Sequence, residues 1–274
     1  MQAADFSYVD PGDPWLKRAL IGTLEVLTGR NRIRDLYLAH QAGGWGQGSF
    51  FAAAVEALSL ELRYDAARLA ALPGEGPLLV IANHPFGVLD GIILCALIEK
   101  RRMDFLALTN SVLLRAPELR GRVEPIDFSD TGAARRANAA SRSRALDHLK
   151  GGGCLLLFPA GAMATSPDRL GRQPAADLPW TPYVERLVRA SQCRVAPVYF
   201  HGQNSRAFQI ASHIHVNLRL ALFFHEVRRR IGTPFPIEIG EVIDPVAIPF
   251  GSDRTEAVAF LREKTLSLGQ PRPR

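Results

Sequence analysis

The stretch Val80–Leu94, "VIANHPFGVLDGIIL", places His84 and Asp90 between two apolar runs. The first run has the apolar composition of a buried strand, and the second, which Asp90 begins, that of a helix. Between them, Pro85 disfavours a helical conformation at His84, and Gly87 permits backbone angles that other residues avoid. The stretch therefore predicts a strand, a loop and a helix in succession.

Short apolar runs alternate with helical stretches from residue 73 onward. Glycine or proline bounds the runs, as is typical of buried parallel strands. The runs are "PLLVIAN", "DFLAL", "VEPID", "CLLLFP", "RVAPVYF" and "PIEIG". Helices are predicted near residues 90–101, 130–150, 179–192, 219–231 and 253–268. This alternation predicts an α/β fold, with a mainly parallel central sheet flanked by helices and joined by right-handed connections.

The N-terminal part has a different sequence pattern. Residues 1–72 are predicted to be a helical segment, in which "DPWLKRALIGTLEVLTGR" has Asp13 as a helix cap and Pro14 at the first helical position. Its apolar residues recur at helical spacing, so this face either covers the protein's own core or lies on a membrane surface. Residues 73–268 are then the α/β domain, and 269–274 a disordered tail.

Composition favours a globular enzyme, since 47% of the 274 residues are apolar and 22% are charged. These values argue against a disordered chain and an integral membrane protein. The net charge of +6 and the isoelectric point near 9.6 favour anionic partners, namely nucleic acid, acidic lipid head groups or phosphorylated molecules. Every apolar run ends well short of the roughly 18 residues that span a bilayer, so we expect any membrane contact to be peripheral.

Nucleic acid is the least favoured of these partners. The basic stretch 130–150 is either a solvated face or a surface for lipid or nucleic acid. No recognition motif accompanies it, and aromatic residues do not alternate with its arginines as a stacking surface for bases requires. We therefore expect no nucleic-acid partner.

The cysteines and histidines indicate neither disulfides nor a metal site. Cys95, Cys154 and Cys193 are odd in number and lack C-x-x-C spacing, so they are expected to be reduced and buried. The other histidines have no clear metal-ligand spacing relative to His84. Acidic residues precede the first apolar run, which argues against a signal peptide and hence against export.

Two interpretations of His84 and Asp90 follow from the residues themselves. A histidine held by a carboxylate commonly takes a proton from a hydroxyl group. In a continuous helix six residues turn by about 600°, so the two side chains can meet only across a loop. No G-x-S-x-G nucleophile motif is present, so the hydroxyl would belong to the substrate. Alternatively, Asp90 only caps a helix and His84 is a core histidine.

Three blocks, "NHPFGVLDG", "FPAG" and "VAPVYFHGQNS", occur in this order. Together they resemble the glycerolipid acyltransferase superfamily, which includes the 1-acylglycerol-3-phosphate acyltransferases. The chain is most similar to the branch of hemolysin-like proteins and lyso-ornithine-lipid acyltransferases, and "FSYVDPGDPWLKRALIGTLEVLTGR" also resembles the N-terminus of that branch.

The resemblance implies that His84 is the base and that Asp90 orients it. The acceptor hydroxyl of a lyso-lipid, lysophosphatidate or lyso-ornithine lipid, would attack an acyl thioester on coenzyme A or acyl carrier protein. No cofactor or metal is implied. We expect a cytoplasmic enzyme, peripheral on the inner face of the cytoplasmic membrane, where basic surface attracts anionic lipid, acyl carrier protein and coenzyme A.

The resemblance also assigns substrate-binding residues. The superfamily's second block corresponds to "TNSVLLRAPELRGRVEPID". There, Arg115, Arg120 and Arg122 either hold phosphate or carboxylate groups or form an exposed charged surface. The superfamily has four such blocks; "FPAG" is the counterpart of its third block, in which Phe158, Pro159 and Gly161 match the superfamily.

Two departures bear on the acceptor. Five residues separate His84 from Asp90 where the superfamily has four, so the loop must be altered. The third block is "FPAGAM" in place of F-P-E-G-T-R, and its neutral side chains cannot bind an anionic head group. Either Arg169 and Arg172 replace the missing charged side chains of this block, or the acceptor is not lysophosphatidate. The alternatives to an acyltransferase are a non-catalytic lipid-binding protein on the same fold and a thioesterase in which His84 activates water.

Overall fold

A seven-stranded sheet lies at the centre of the computed structural model, which describes residues 49–110, 119–127, 129–251 and 253–270 and a few single residues between 15 and 39. The strands are β1 (Glu61–Arg63), β2 (Leu78–Ala82), β3 (Phe105–Asn110), β4 (Val123–Ile126), β5 (Cys154–Leu157), β6 (Arg194–Phe200) and β7 (Pro234–Ile239). The helices are α1 (Phe50–Ala57), α2 (Ala66–Ala70), α3 (Val88–Glu99), α4 (Gly132–Lys150), α5 (Tyr183–Ser191), α6 (Arg206–Ile214), α7 (Val216–Arg230) and α8 (Arg254–Leu266).

The sheet order is β1-β7-β6-β2-β5-β3-β4. Five strands, β2 to β6, run parallel to one another, and β7 pairs with β6 in the antiparallel sense. β1 pairs with β7 in parallel. The predicted α/β architecture, a mainly parallel sheet flanked by helices, is confirmed.

The core consists of two apolar layers, one on each face of the sheet. Along β2, which is buried throughout, alternate residues belong to opposite layers. Leu78, Val80 and Ala82 face the layer that contains α3 and residues of α7. Leu79 and Ile81 face the layer that contains residues of α4, α5 and α8. Helices therefore cover both faces, which explains why the strands are continuous apolar runs.

Three elements differ from the sequence prediction. β1, "ELR", is short and mostly exposed, so it carries no apolar run that would predict a strand, and it joins the sheet although it falls within residues 1–72. α6 was not predicted either. β7 was predicted to be parallel, whereas its alternation of exposed and buried residues is typical of a strand with one solvated face, and it is antiparallel to β6.

Two further predictions concern the N-terminal helix and the C-terminal tail. Most of the helix predicted near the N-terminus lies outside the described residues, although Trp15, Arg18 and Gly22 are helical. At the other end, a 3-10 turn spans Ser267–Gly269, and a Cβ added at Gly269 would clash with Tyr199, so this glycine is packed. The predicted tail thus begins no earlier than residue 270, and 271–274 lie outside the described residues. Within the described ranges, no helix combines the length and the apolar character that crossing a membrane requires.

The strand order decides where the loops meet. β5, β2 and β6 are neighbours and parallel, so the loops that follow them leave the same edge of the sheet. These loops begin with Phe158, Asn83 and His201, and each carries one of the three blocks identified in the sequence. The carboxyl edge of a parallel sheet is where such folds place their ligands.

Candidate active site

His84 and Asp90 are in contact at this edge. Nδ1 of His84 lies 3.1 Å from Oδ2 of Asp90, across the loop between β2 and α3. The contact has the length of an ion pair but not the alignment of a hydrogen bond. The predicted meeting of the two side chains across a loop is therefore present.

Asp90 is fully buried at the start of α3. Its Oδ2 accepts hydrogen bonds from the backbone N–H groups of Phe86, at 2.7 Å, and Gly87, at 3.0 Å. Burial raises the pKa of Asp90 above its usual value, although His84 and the two N–H groups act in the opposite direction. The carboxylate caps the helix and faces the imidazole at once, so the two interpretations of Asp90 are compatible.

Gly87 gives the loop its shape. Its φ of 76° and ψ of −124° are open to glycine and costly for other residues. A Cβ at this position would lie 2.5 Å from Sδ of Met163 and 3.2 Å from the ring of Phe223. The loop with its five intervening residues is therefore closely packed between the third block and α7.

Two further residues, the aromatic Phe158 and the acidic Asp177, contact His84 on its other sides. Its ring stacks on Phe158, with centroids 4.1 Å apart and planes inclined by 28°. Its backbone N–H donates to Oδ1 of Asp177 at 3.0 Å, and Oδ2 of Asp177 accepts from the indole N–H of Trp180 at 3.0 Å. Burial raises the pKa of Asp177. With Nδ1 turned to Asp90, Nε2 is the nitrogen that can meet a substrate.

Asn83 fixes the end of β2 beside His84. It is buried, its side-chain oxygen accepts from the backbone N–H of Phe200 at 2.7 Å, and its nitrogen donates to the carbonyl of the same residue at 3.0 Å. This pair of bonds ties the loop after β2 to the end of β6. The structural roles of Asn83, Asp177 and Trp180 were not predicted from the sequence, because the residues that hold them at the site are distant in sequence or depend on such contacts.

The third block lies where the sequence predicted. Phe158 contacts His84, the Pro159 carbonyl accepts from the backbone of Thr181 at 3.0 Å, and Gly161 forms a turn with φ of 69°. A backbone hydrogen bond of 2.8 Å from Ala164 to the carbonyl of His84 joins the end of this block to the loop after β2.

Of the arginines in the predicted second block, Arg122 lies away from this edge. Arg115 lies outside the described residues, and Arg120 is exposed. Arg122 precedes β4, donates to the carbonyl of Met103 and lies 5.2 Å from the ring of Phe105. These contacts are at the amino ends of β3 and β4, opposite the edge that carries His84. The family resemblance assigned Arg122 to the substrate site, but the direction of the strands places it at the opposite edge of the sheet.

Arg169 and Arg172 are exposed, in a loop beyond the third block. This loop is closed by Asp168, which accepts from the backbone N–H groups of Leu170 and Arg172 at 3.2 and 2.9 Å. None of the contacts described for the two arginines reaches His84 or Asp90.

The three cysteines are free and buried, as predicted. Burial raises the pKa of Cys154 to about 12 and that of Cys193 to about 11, and it raises the pKa of Cys95 as well. Thiols with raised pKa values are poor nucleophiles, so these residues pack as small apolar side chains. Among the described residues, no group of three His, Cys, Asp or Glu side chains is arranged to hold a metal ion.

A family model described as "Acyltransferase" matches residues 49–271. Comparison with curated protein sequences gives no match. Among solved structures, the chain is similar to the 1-acyl-sn-glycerophosphate (LPA) acyltransferase PlsC from Thermotoga maritima, with a TM-score of 0.47 and 16% sequence identity, over 91% of this chain and 78% of that one.

Proposed function

The chain belongs to the acyltransferase family, and we propose that it transfers a fatty acyl group from an acyl thioester to the hydroxyl group of a lyso-lipid. The observation that carries this proposal is the contact of His84 with the buried carboxylate of Asp90, at the carboxyl edge of the sheet. A carboxylate on Nδ1 orients the imidazole and favours its protonated form during the reaction.

The proposed reaction has two steps. Nε2 of His84 takes the proton of the acceptor hydroxyl as its oxygen attacks the thioester carbonyl. The tetrahedral intermediate then expels the thiolate, and the imidazolium returns the proton to that sulfur. An ester bond forms and a thioester bond breaks, with no net oxidation. Asp90 stays ionised and stabilises the imidazolium between the steps.

The donor is proposed to be acyl-coenzyme A or acyl carrier protein, and the acceptor lysophosphatidate or lyso-ornithine lipid. We also propose peripheral association with the inner face of the cytoplasmic membrane. The net charge of +6 supports both statements, since coenzyme A, acyl carrier protein and anionic lipid head groups are all attracted to a basic protein.

Purified protein incubated with acyl thioesters and a panel of lyso-lipids tests the proposal directly. Acylated lipid and free thiol should form in equal amounts. Free fatty acid as the product would instead indicate a thioesterase, and lipid binding without turnover would indicate a non-catalytic protein.

His84→Ala should reduce acyl transfer by about 10²- to 10⁴-fold, the usual contribution of a general base. His148→Ala is a matched control, because His148 bonds only the backbone carbonyls of Asp104 and Cys154 in the described contacts and lies outside the site. Full activity of the His84 variant would refute the proposed mechanism.

A further inference from the structure

Helix α7 lies against the loop that carries His84. Phe223 of this helix is packed on Gly87, where an added Cβ would come within 3.2 Å of its ring. Arg219 is four residues earlier, so it projects from the same face of the helix one turn away. Its Nη2 donates to the carbonyl oxygen of Met163, in the third block, at 3.1 Å.

A single peptide group connects Arg219 with His84. The carbonyl that accepts from Arg219 and the N–H of Ala164 belong to the same peptide unit, and that N–H donates to the carbonyl of His84 at 2.8 Å. Because the C=O and N–H of a planar trans peptide point in opposite directions, the guanidinium lies across this peptide unit from the carbonyl of His84.

The positive charge of Arg219 has no acidic partner among the described residues. The side chain is half-buried, its Cζ lies 5.4 Å from the ring centroid of Phe208, and its Nε is buried without a hydrogen-bond partner. Burial is the only cause that shifts its pKa, which it lowers. Arg102, by contrast, pairs with Asp104, and Arg189 pairs with Glu185.

Burying a cation without a counter-charge costs free energy, which a bound anion would offset. The third block itself offers only neutral side chains at Ala160, Ala162 and Met163. Arg219, on a helix distant in sequence, places a cation in contact with this block.

We propose that Arg219 binds the anionic group of the substrate, a phosphate or carboxylate, beside His84. The inference rests on the proposed acyltransferase function. The anion belongs either to the head group of the acceptor or to the phosphates of the donor, and both would be recognised by charge-assisted hydrogen bonds to the guanidinium.

Steady-state kinetics of Arg219→Gln and Arg219→Lys distinguish the two sources. The acceptor is tested with lysophosphatidate against monoacylglycerol, and with lyso-ornithine lipid against its methyl ester. The donor is tested with acyl-coenzyme A against acyl-pantetheine, which lacks the phosphates. Each pair differs in the anionic group and shares the same reacting atoms.

For one pair, Arg219→Gln should raise the KM of the member that carries the anionic group by about 10- to 100-fold. Its kcat, and the KM of the member that lacks this group, should stay within about 2-fold of the wild-type values. Arg219→Lys, which keeps the charge, should recover most of the loss. Arg194→Gln is the matched control, because Arg194 also donates to a backbone carbonyl, that of Glu75 at 3.3 Å, but at the amino edge of the sheet. Unchanged KM values for every anionic substrate would overturn the assignment of Arg219.

Failure of the proposed function is separable from failure of this inference. If the wild-type protein acylates none of the acceptors, the function is wrong, and the anion site is then tested by the rise in melting temperature on addition of inorganic phosphate. That rise should be lost in Arg219→Gln and kept in Arg194→Gln. A rise of equal size in all three proteins would overturn the site on its own.

Discussion

The carboxylate of Asp177 accepts a 3.0 Å hydrogen bond from the backbone N–H of His84, although 93 positions separate the two residues. The same carboxylate accepts from the indole N–H of Trp180. Asp177 is 7% exposed, so both bonds are shielded from water. It therefore connects the loop after β2 to the segment that precedes α5, and it holds the backbone of His84 while Asp90 holds the ring.

Asp177→Ala should lower kcat by about 10- to 100-fold with little change in KM, because the imidazole loses its position but the substrate contacts remain. The free energy of unfolding should fall by about 1–3 kcal/mol, since two buried donors lose their acceptor. Acyl-transfer kinetics and denaturant unfolding measure the two effects. Asp65→Ala is the control: Asp65 also accepts from two backbone N–H groups, those of Ala67 and Arg68, but at the start of α2. A change in KM alone would show that Asp177 does not position His84.

Gly87→Ala should abolish most of the activity, because its φ of 76° is strained for alanine and the new Cβ would lie 2.5 Å from Sδ of Met163. A loss of about 1–3 kcal/mol in unfolding free energy is expected as well. Gly91→Ala, four residues on in α3, is the matched control, since a Cβ there meets nothing within 4 Å. It should raise stability by about 0.5–1 kcal/mol and leave acyl transfer intact. Equal effects of the two substitutions would contradict the loop geometry.

Asp90→Asn should separate activity from stability. Acyl transfer should fall by about 10²-fold or more, because a neutral amide cannot stabilise the imidazolium of His84. The free energy of unfolding at pH 7 should be equal to or above that of the wild type. Burial raises the folded-state pKa of Asp90, so the folded protein binds this proton more tightly than the unfolded chain does.

The sign of the pH dependence follows from that shift. The wild type should lose stability as the pH rises from the unfolded-state value of 3.8 through the raised folded-state pKa, and the variant lacks this loss. The advantage of Asp90→Asn should therefore vanish below about pH 4. Unfolding curves at pH 3.5 and pH 7 measure it. A variant less stable than the wild type at pH 7 would contradict the prediction.

Asp104 should show the opposite pH dependence. Nη2 and Nε of the buried Arg102 donate to its two carboxylate oxygens at 2.6 and 2.7 Å, and this pairing lowers the pKa of Asp104. The contribution to stability is present above the unfolded-state pKa and is lost as the pH falls through the lowered folded-state pKa. Because Asp104 is half-exposed, Asp104→Asn should cost only about 1 kcal/mol at pH 7.

Unfolding free energies of the wild type and Asp104→Asn, measured between pH 2 and pH 7, test this prediction. The difference between them should shrink toward zero in acid. Asp130→Asn serves as the control, because its ion pair with Arg135 is exposed on both sides. A difference that is constant over the whole range would show that the ionisation of Asp104 is not responsible.

Local chemistry made the first part of the site predictable. Pro85 and Gly87 mark a loop, and a carboxylate at the start of a helix is favoured by the free N–H groups there, so the contact between His84 and Asp90 followed from a few neighbouring residues. The catalytic and substrate-binding roles assigned to His84, Asp90, Phe158, Pro159 and Gly161 remain predictions that the kinetic experiments address.

The predicted arginines illustrate the limit of such reasoning. Arg122 belongs to the stretch that resembles the superfamily's second block, yet it lies at the amino ends of β3 and β4. Arg169 and Arg172 are exposed, whereas Arg219, which no motif singled out, contacts the third block. A sequence shows which residues are charged, but it does not show at which edge of the sheet their side chains lie.

Local sequence patterns account for the alternation of strands and helices, the buried character of the central strands and the loop that carries His84. These features depend on hydrophobic periodicity and on the backbone preferences of proline and glycine, which act over a few residues. Tertiary structure alone decided the order β5, β2, β6, which stacks Phe158 on His84, and the arrival of Asp177 and Arg219 beside it. Those contacts depend on how distant segments pack, and no local pattern encodes which strands become neighbours.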